Sequence, residues 1–174
     1  MSRQVVAIVT ATLLVLWTDL LSALPPLPKP DHIVIVVEEN HAFSQIIDSP
    51  VAPYLNALAQ KGALLTNSYG VTHPSQPNYI ALFAGTIDGV SKNTCPTSLT
   101  VPNLSSTLAQ AGQTFIGYAE DLPAVGSVEC VADAYARKHN PWVNWQSSPI
   151  NTVPSGSNRP LTDFPTDFST LPTV

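Results

Sequence analysis

The run His32-Ile33-Val34-Ile35-Val36-Val37-Glu38, followed at once by Glu39-Asn40-His41, decides the reading of the fold. Its β-branched residues are consecutive rather than alternating, so neither face of the segment is set aside for water. That is the pattern of a strand covered on both sides, as in a parallel sheet. In open sheets of this kind ligands bind beyond the carboxyl ends of the strands, which is where Glu38-Glu39-Asn40-His41 would lie.

The segments that follow alternate in type. Ala52–Gln60 reads as a helix stopped at Lys61-Gly62, and Ala63–Tyr69 as a second strand. Ser75–Ala84 reads as a helix closed by Gly85. Asn103–Ala111 reads as another, with Asn103 as N-cap and Gly112 as stop. Thr114–Ala119 reads as a third strand ending at Glu120-Asp121, and Val131–Lys138 as a short helix. After Pro141 regularity fades, and residues 147–174 read as loop. Strand and helix in alternation predict an α/β fold, a mainly parallel central sheet flanked by helices.

The first thirty residues carry a different signal. Arg3 precedes an apolar run, Val5–Trp17, that is too short for the roughly 20 residues of a membrane span. With the small-residue exit Leu21-Ser22-Ala23 it reads as a secretory signal peptide over residues 1–23. The alternative is an N-terminal membrane anchor. Leu24–Pro30 (LPPLPKP) then reads as a stiff proline-rich linker, and 31–174 as the domain. The secreted form is expected to have no stable membrane insertion. Export would also favour pairing of Cys95 with Cys130, the alternative being two buried thiols.

Composition narrows the function. The 174 residues hold 7 Lys+Arg against 12 Asp+Glu, a formal charge of −5. With no basic run, nucleic acid is excluded as a partner. Two cysteines cannot build a four-thiolate zinc site. Charged residues make up only 11%, under half the usual ~25%, in keeping with buried parallel strands.

Two polar clusters can carry chemistry. Glu39 and Asn40 offer neighbouring oxygen donors suited to a hard or borderline divalent cation, or else form a solvated strand exit. The second cluster is Thr72-His73-Pro74-Ser75-Gln76-Pro77-Asn78-Tyr79. With Ser75 as N-cap, Pro77 sits in the one turn that tolerates it. The serine hydroxyl then stands at the positive end of a helix, where anions bind and where a hydroxyl can serve as nucleophile. Asn78 could turn its amide to the same anion. The alternative is that Ser75 only caps its helix by bonding the N–H of Asn78. Trp142 and Trp145 read as a substrate wall or as a core edge. Asn103-Leu104-Ser105 matches a glycosylation sequon.

The strings HIVIVVEENHAFSQII, NSYGVTHPSQPNYIALFAGT, YAEDLP and YARKHNPWVNW resemble the secreted phosphoesterases that group acid phosphatases with bacterial phospholipases C. The likeness is strongest to the smaller secreted acid phosphatases and covers about residues 31–147. It implies an alkaline-phosphatase-like fold and a divalent metal held in part by Glu39 and Asn40. It also implies Ser75 as nucleophile, Asn78 as a phosphate contact, and a small phosphoester or phospholipid head-group as substrate. His73 and His139 lie in the shared motifs without an assigned role. A phosphomonoesterase is the first expectation and a phospholipase-C-type diesterase the second. Members of the family continue into a later acidic pair. Here the late carboxylates Asp163 and Asp167 lie in LTDFPTDFSTLP, which does not resemble that pair. The resemblance therefore implies a domain truncated at its C-terminus, with a non-catalytic secreted protein as the third expectation.

Overall fold

In a computed structural model the structure describes residues 29–171. The signal-peptide expectation for 1–23 and most of the linker expectation for 24–30 lie outside them. No helix among the described residues is long and apolar enough to cross a membrane. The chain divides at Asp31/His32, and the architecture below belongs to the second unit.

Among the described residues four helices come first: α1 (Phe43–Ile46), α2 (Pro53–Lys61), α3 (Ser75–Ala84) and α4 (Leu104–Gln110). Then β1 (Gly117–Ala119) pairs in parallel with β4 (Asn158–Pro160), Gly117 opposite Asn158. Between them β2 (Val131–Ala132) and β3 (Tyr135–Ala136) form a short antiparallel pair, followed by 3-10 turns at Arg137–His139 and Pro141–Trp145. This is a mixed helix and sheet architecture, compatible with an α/β phosphoesterase. Among the described residues, parallel pairing is seen at β1·β4.

Three sequence expectations are corrected. His32–Glu38 forms no strand: Ile33 is 64% and Val36 75% exposed, with Val34, Ile35 and Val37 also exposed. A β-branched run has the side chains for a buried strand, but a strand exists only when a neighbour takes its backbone groups. Among the described residues, no backbone hydrogen bond pairs residues 33–38 with another segment. Ala63–Tyr69 is likewise exposed and irregular. In place of the helix expected over Val131–Lys138, Val131–Ala136 is a tight hairpin, turned at Asp133 with a positive φ of 49°, and runs into the Arg137–His139 3-10 turn.

The core forms where α3 meets the 141–145 turn. Ile80, Trp145 and Val153 are fully buried, with Phe83 and Leu99 beside them. Full burial of each large side chain is worth about 1.5–3 kcal/mol. Phe83 packs on Phe115 at 5.1 Å and edge-on to Trp145 at 5.5 Å between ring centres, the geometry that aromatic quadrupoles favour. The indole N–H groups are satisfied: Trp145 Nε1 donates to Val101 O at 2.8 Å and Trp142 Nε1 to Asn158 Oδ1 at 2.8 Å. Both tryptophans are therefore core closure rather than a substrate wall.

The late segment expected as loop contributes to this core. Asn158, fully buried on β4, accepts from Trp142 and Asn140 and donates to Ser127 O. Gly117 on β1 lies flat against the Trp142 indole, which a Cβ would overlap. Gly117→Ala is accordingly expected to destabilise the fold by about 1–3 kcal/mol or more, read as a lower urea midpoint with unchanged slope. Cys95 and Cys130 form a disulfide, as expected.

Candidate active site

The start of α3 organises the site. Pro74 is the N-cap and Ser75 the first helical residue, so the helix starts one residue earlier than the N-cap reading of Ser75 expected. Ser75 makes no cap bond. Its hydroxyl instead donates to Glu39 Oε1 at 2.6 Å, so the capping alternative for Ser75 fails. At the far end Gly85 takes the left-handed conformation (φ 70°) that closes the helix, and its N–H donates to Ala81 O.

Tyr79 lies one turn beyond Ser75, on the same helical face. Its hydroxyl reaches Glu39 Oε2 at 3.4 Å. Burial first, then the Glu39 charge, pushes this phenol up to about 12, so it remains a donor across the ordinary pH range. His139, from the Arg137–His139 turn, completes the group. Its Nε2 lies 2.7 Å from Glu39 Oε2, and its ring packs 5.4 Å from Tyr79. That nitrogen is shielded from solvent and makes no aligned hydrogen bond. Burial pushes the imidazole below its ordinary range, against the opposite pull of Glu39. The Glu39 carboxylate thus sits at the centre of three side chains from two later segments.

The other expected residues fall differently. Asn78 turns its carboxamide on to its own loop. Its Oδ1 accepts from Thr72 N at 3.0 Å, and its Nδ2 donates to Thr72 O and, at 3.2 Å, to Pro74 O. It braces the loop that delivers Ser75, and Gly70 packs so closely on this amide that a Cβ there would sit 3.1 Å from Oδ1. Asn40 is exposed, and no described hydrogen bond joins it to the cluster. His73 is exposed and also stands outside it.

Carboxylate and carboxamide oxygens suit a hard cation. Among the described residues, however, no group of three or more His, Cys, Asp and Glu could hold a metal ion. Glu39 and Asn40 fit part of a metal site, not a closed one. Asn103, the sequon residue, is 2% exposed. Its Oδ1 caps Ser106 N at 2.9 Å and its Nδ2 donates to Asn151 O at 2.7 Å, so it is engaged as a helix cap and not presented at the surface.

Sequence reasoning missed Tyr79 and left His139 without a role. The i, i+4 spacing of Ser75 and Tyr79 was a usable signal. His139 had none, because its meeting with Glu39 spans a hundred residues of chain.

Residues 48–174 match the Phosphoesterase family, and the chain belongs to that family. It is 46% identical over 177 residues to a phosphatidylinositol-3-phosphatase of Mycobacterium tuberculosis, covering 98% of this chain and 58% of that protein. It is 36% identical over 124 residues to an acid phosphatase of Aspergillus fumigatus, covering 64% of this chain and 27% of the relative. A phosphate-repressible acid phosphatase of Penicillium chrysogenum is 34% identical over 123 residues, covering 66% and 29% respectively. The chain thus spans little more than half the length of the first relative and under a third of the other two. No solved structure matches significantly.

Proposed function

We propose that this chain carries the nucleophile of a secreted phosphomonoesterase of the acid-phosphatase type, namely Ser75. The observation that supports it is the 2.6 Å bond from the Ser75 hydroxyl to Glu39, at the start of a ten-residue helix.

Ser75 Oγ attacks phosphorus in line with the ester oxygen. As the new P–O bond forms, the hydroxyl proton passes to Glu39 Oε1, already in hydrogen-bond reach. The bond to the leaving oxygen breaks, and that oxygen takes the proton from Glu39, which is left ionised for the second step. Water then attacks the phosphoseryl group, Glu39 accepting its proton. Phosphate departs and Ser75 is protonated again. The positive end of the α3 dipole favours the phosphoryl oxygens, although the Gln76 N–H is taken by Asn93 Oδ1 and Pro77 has none. His139 and Tyr79 hold Oε2, which keeps Oε1 aimed at the serine. Asn78 serves by holding the 72–74 loop, and its expected contact with phosphate requires release of Pro74 O.

A divalent metal belongs to this reading through Glu39 and Asn40, where it would supply Lewis-acid activation of oxygen.

The phosphatase names of the relatives make a phosphomonoester the first substrate class, a phosphorylated inositol lipid included. Parallel assays of p-nitrophenyl phosphate, phosphatidylinositol 3-phosphate and phosphatidylcholine, with and without added divalent metals, test it. Release of inorganic phosphate from the monoesters alone is the expected result. Cleavage of phosphatidylcholine would establish the diesterase instead. No turnover of any substrate would establish a non-catalytic chain.

A further inference from the structure

Arg137 is buried, 6% exposed, and meets no carboxylate among its hydrogen-bond partners. Its guanidinium bonds instead to three separate places. Nη1 donates to Val128 O at 2.9 Å, Nη2 to Thr97 O at 2.9 Å, and Nη2 also to Asn144 Oδ1 at 3.2 Å. Its own backbone N–H donates to Cys130 O at 3.0 Å. Thr97 is two residues from Cys95 and Val128 two from Cys130, so the guanidinium spans both flanks of the Cys95–Cys130 disulfide.

Each end of this network leads to the candidate site. On one side Gln76, 1% exposed and next to Ser75, is bound by the 93–97 segment. Its N–H donates to Asn93 Oδ1 at 3.1 Å, its Oε1 accepts from Thr94 N at 2.6 Å, and its Nε2 reaches Thr97 Oγ1 at 3.5 Å. On the other side Arg137 opens the turn that carries His139, closed by Asn140 N donating to Arg137 O at 2.9 Å. One buried fork therefore ties the segment gripping the start of α3 to the turn bearing His139. A planar five-donor guanidinium can hold carbonyls from separate segments in fixed relation, which a lysine ammonium cannot reproduce.

We infer that Arg137 is a positioning residue: it sets His139 against Glu39 and so fixes the carboxylate on Ser75. The inference rests on the proposed phosphoesterase reading, and its test is built so that the two can fail separately. Arg137→Gln and Arg137→Lys are made in the full chain, alone and with His139→Ala. The His139 imidazole signals are followed at one fixed pH by two-bond proton–nitrogen correlation spectra, assigned by their loss in His139→Ala. Both variants are expected to displace the His139 signals while the thermal transition stays cooperative.

With p-nitrophenyl phosphate, kcat is expected to fall about 10- to 100-fold in Arg137→Gln, the scale of a misplaced catalytic group. KM stays within about threefold, and Arg137→Lys recovers only part of the loss. In the His139→Ala background Arg137→Gln should have little further effect, because the two residues act as one unit. Unmoved His139 signals would overturn the inference. So would a turnover loss that adds in full to that of His139→Ala, or unfolding of both Arg137 variants. If the wild-type chain has no turnover, the phosphoesterase reading falls, and the His139 signals alone decide whether Arg137 sets that ring.

Discussion

Ser75→Ala is expected to reduce phosphomonoester turnover by about 10³-fold or more, the scale at which nucleophile removal acts. The folded state should be nearly untouched. Ser75 is half-buried, makes no cap bond, and spends its hydroxyl on Glu39 rather than on the helix. Circular dichroism and the melting midpoint should therefore match the parent chain while steady-state phosphate release collapses. Glu39→Gln tests the same bond from its other end. The carboxamide keeps the shape and loses the charge that accepts the proton, and a drop of about 10²- to 10⁴-fold is expected. Wild-type turnover in either variant would remove that residue from the reaction.

The second large effect is on stability. The disulfide links residues 35 apart, Cys95 to Cys130. In the chain-entropy account, closing a loop of that size in the unfolded chain is worth about 3–4 kcal/mol. Cys95→Ala with Cys130→Ala is therefore expected to lower the melting midpoint by about 10 °C or more. The internal control is reduction. Dithiothreitol should lower the parent midpoint by a similar amount and leave the double variant unmoved. Equal sensitivity of both proteins to the reductant would show that the bridge carries none of the stability.

Local chemistry was legible in the sequence and long-range pairing was not. Helix α3 could be read because its signals are adjacent: Pro77 within the first turn, Gly85 at the end, Ile80 and Phe83 between. Asn103 could be read as a cap for the same reason, and its side chain does accept from Ser106 N. The disulfide was readable because there are only two cysteines and the first residues read as an export signal, which would favour their pairing. The run at His32–Glu38 shows the limit. Composition states what a segment would bury, but a strand also needs a partner for its backbone, and no described segment supplies one. The pairing of β1 with β4 was missed for a related reason. Asn-Arg-Pro at 158–160 has no strand signature, and it joins the sheet because the Asn158 side chain is held by Trp142, Asn140 and Ser127.

The site divides in the same way. Glu39 and Ser75 were each readable from their place at the end of an apolar run or the start of a helix. Their direct bond was not, nor was the arrival of His139 on the far side of the carboxylate. Asn78 was readable as a residue of the helix start, but its carboxamide is engaged with Thr72 and Pro74. A side chain one turn from an anion site satisfies the nearest carbonyls first when they are in reach.

A trapped covalent intermediate decides whether Ser75 is the nucleophile. The purified chain is mixed with p-nitrophenyl phosphate, quenched in acid within the steady state, digested, and its phosphopeptides sequenced by mass spectrometry. Phosphate is expected on Ser75, absent in Ser75→Ala and in samples without substrate. Steady turnover with phosphate on another residue, or with none on Ser75 at any quench time, would contradict it.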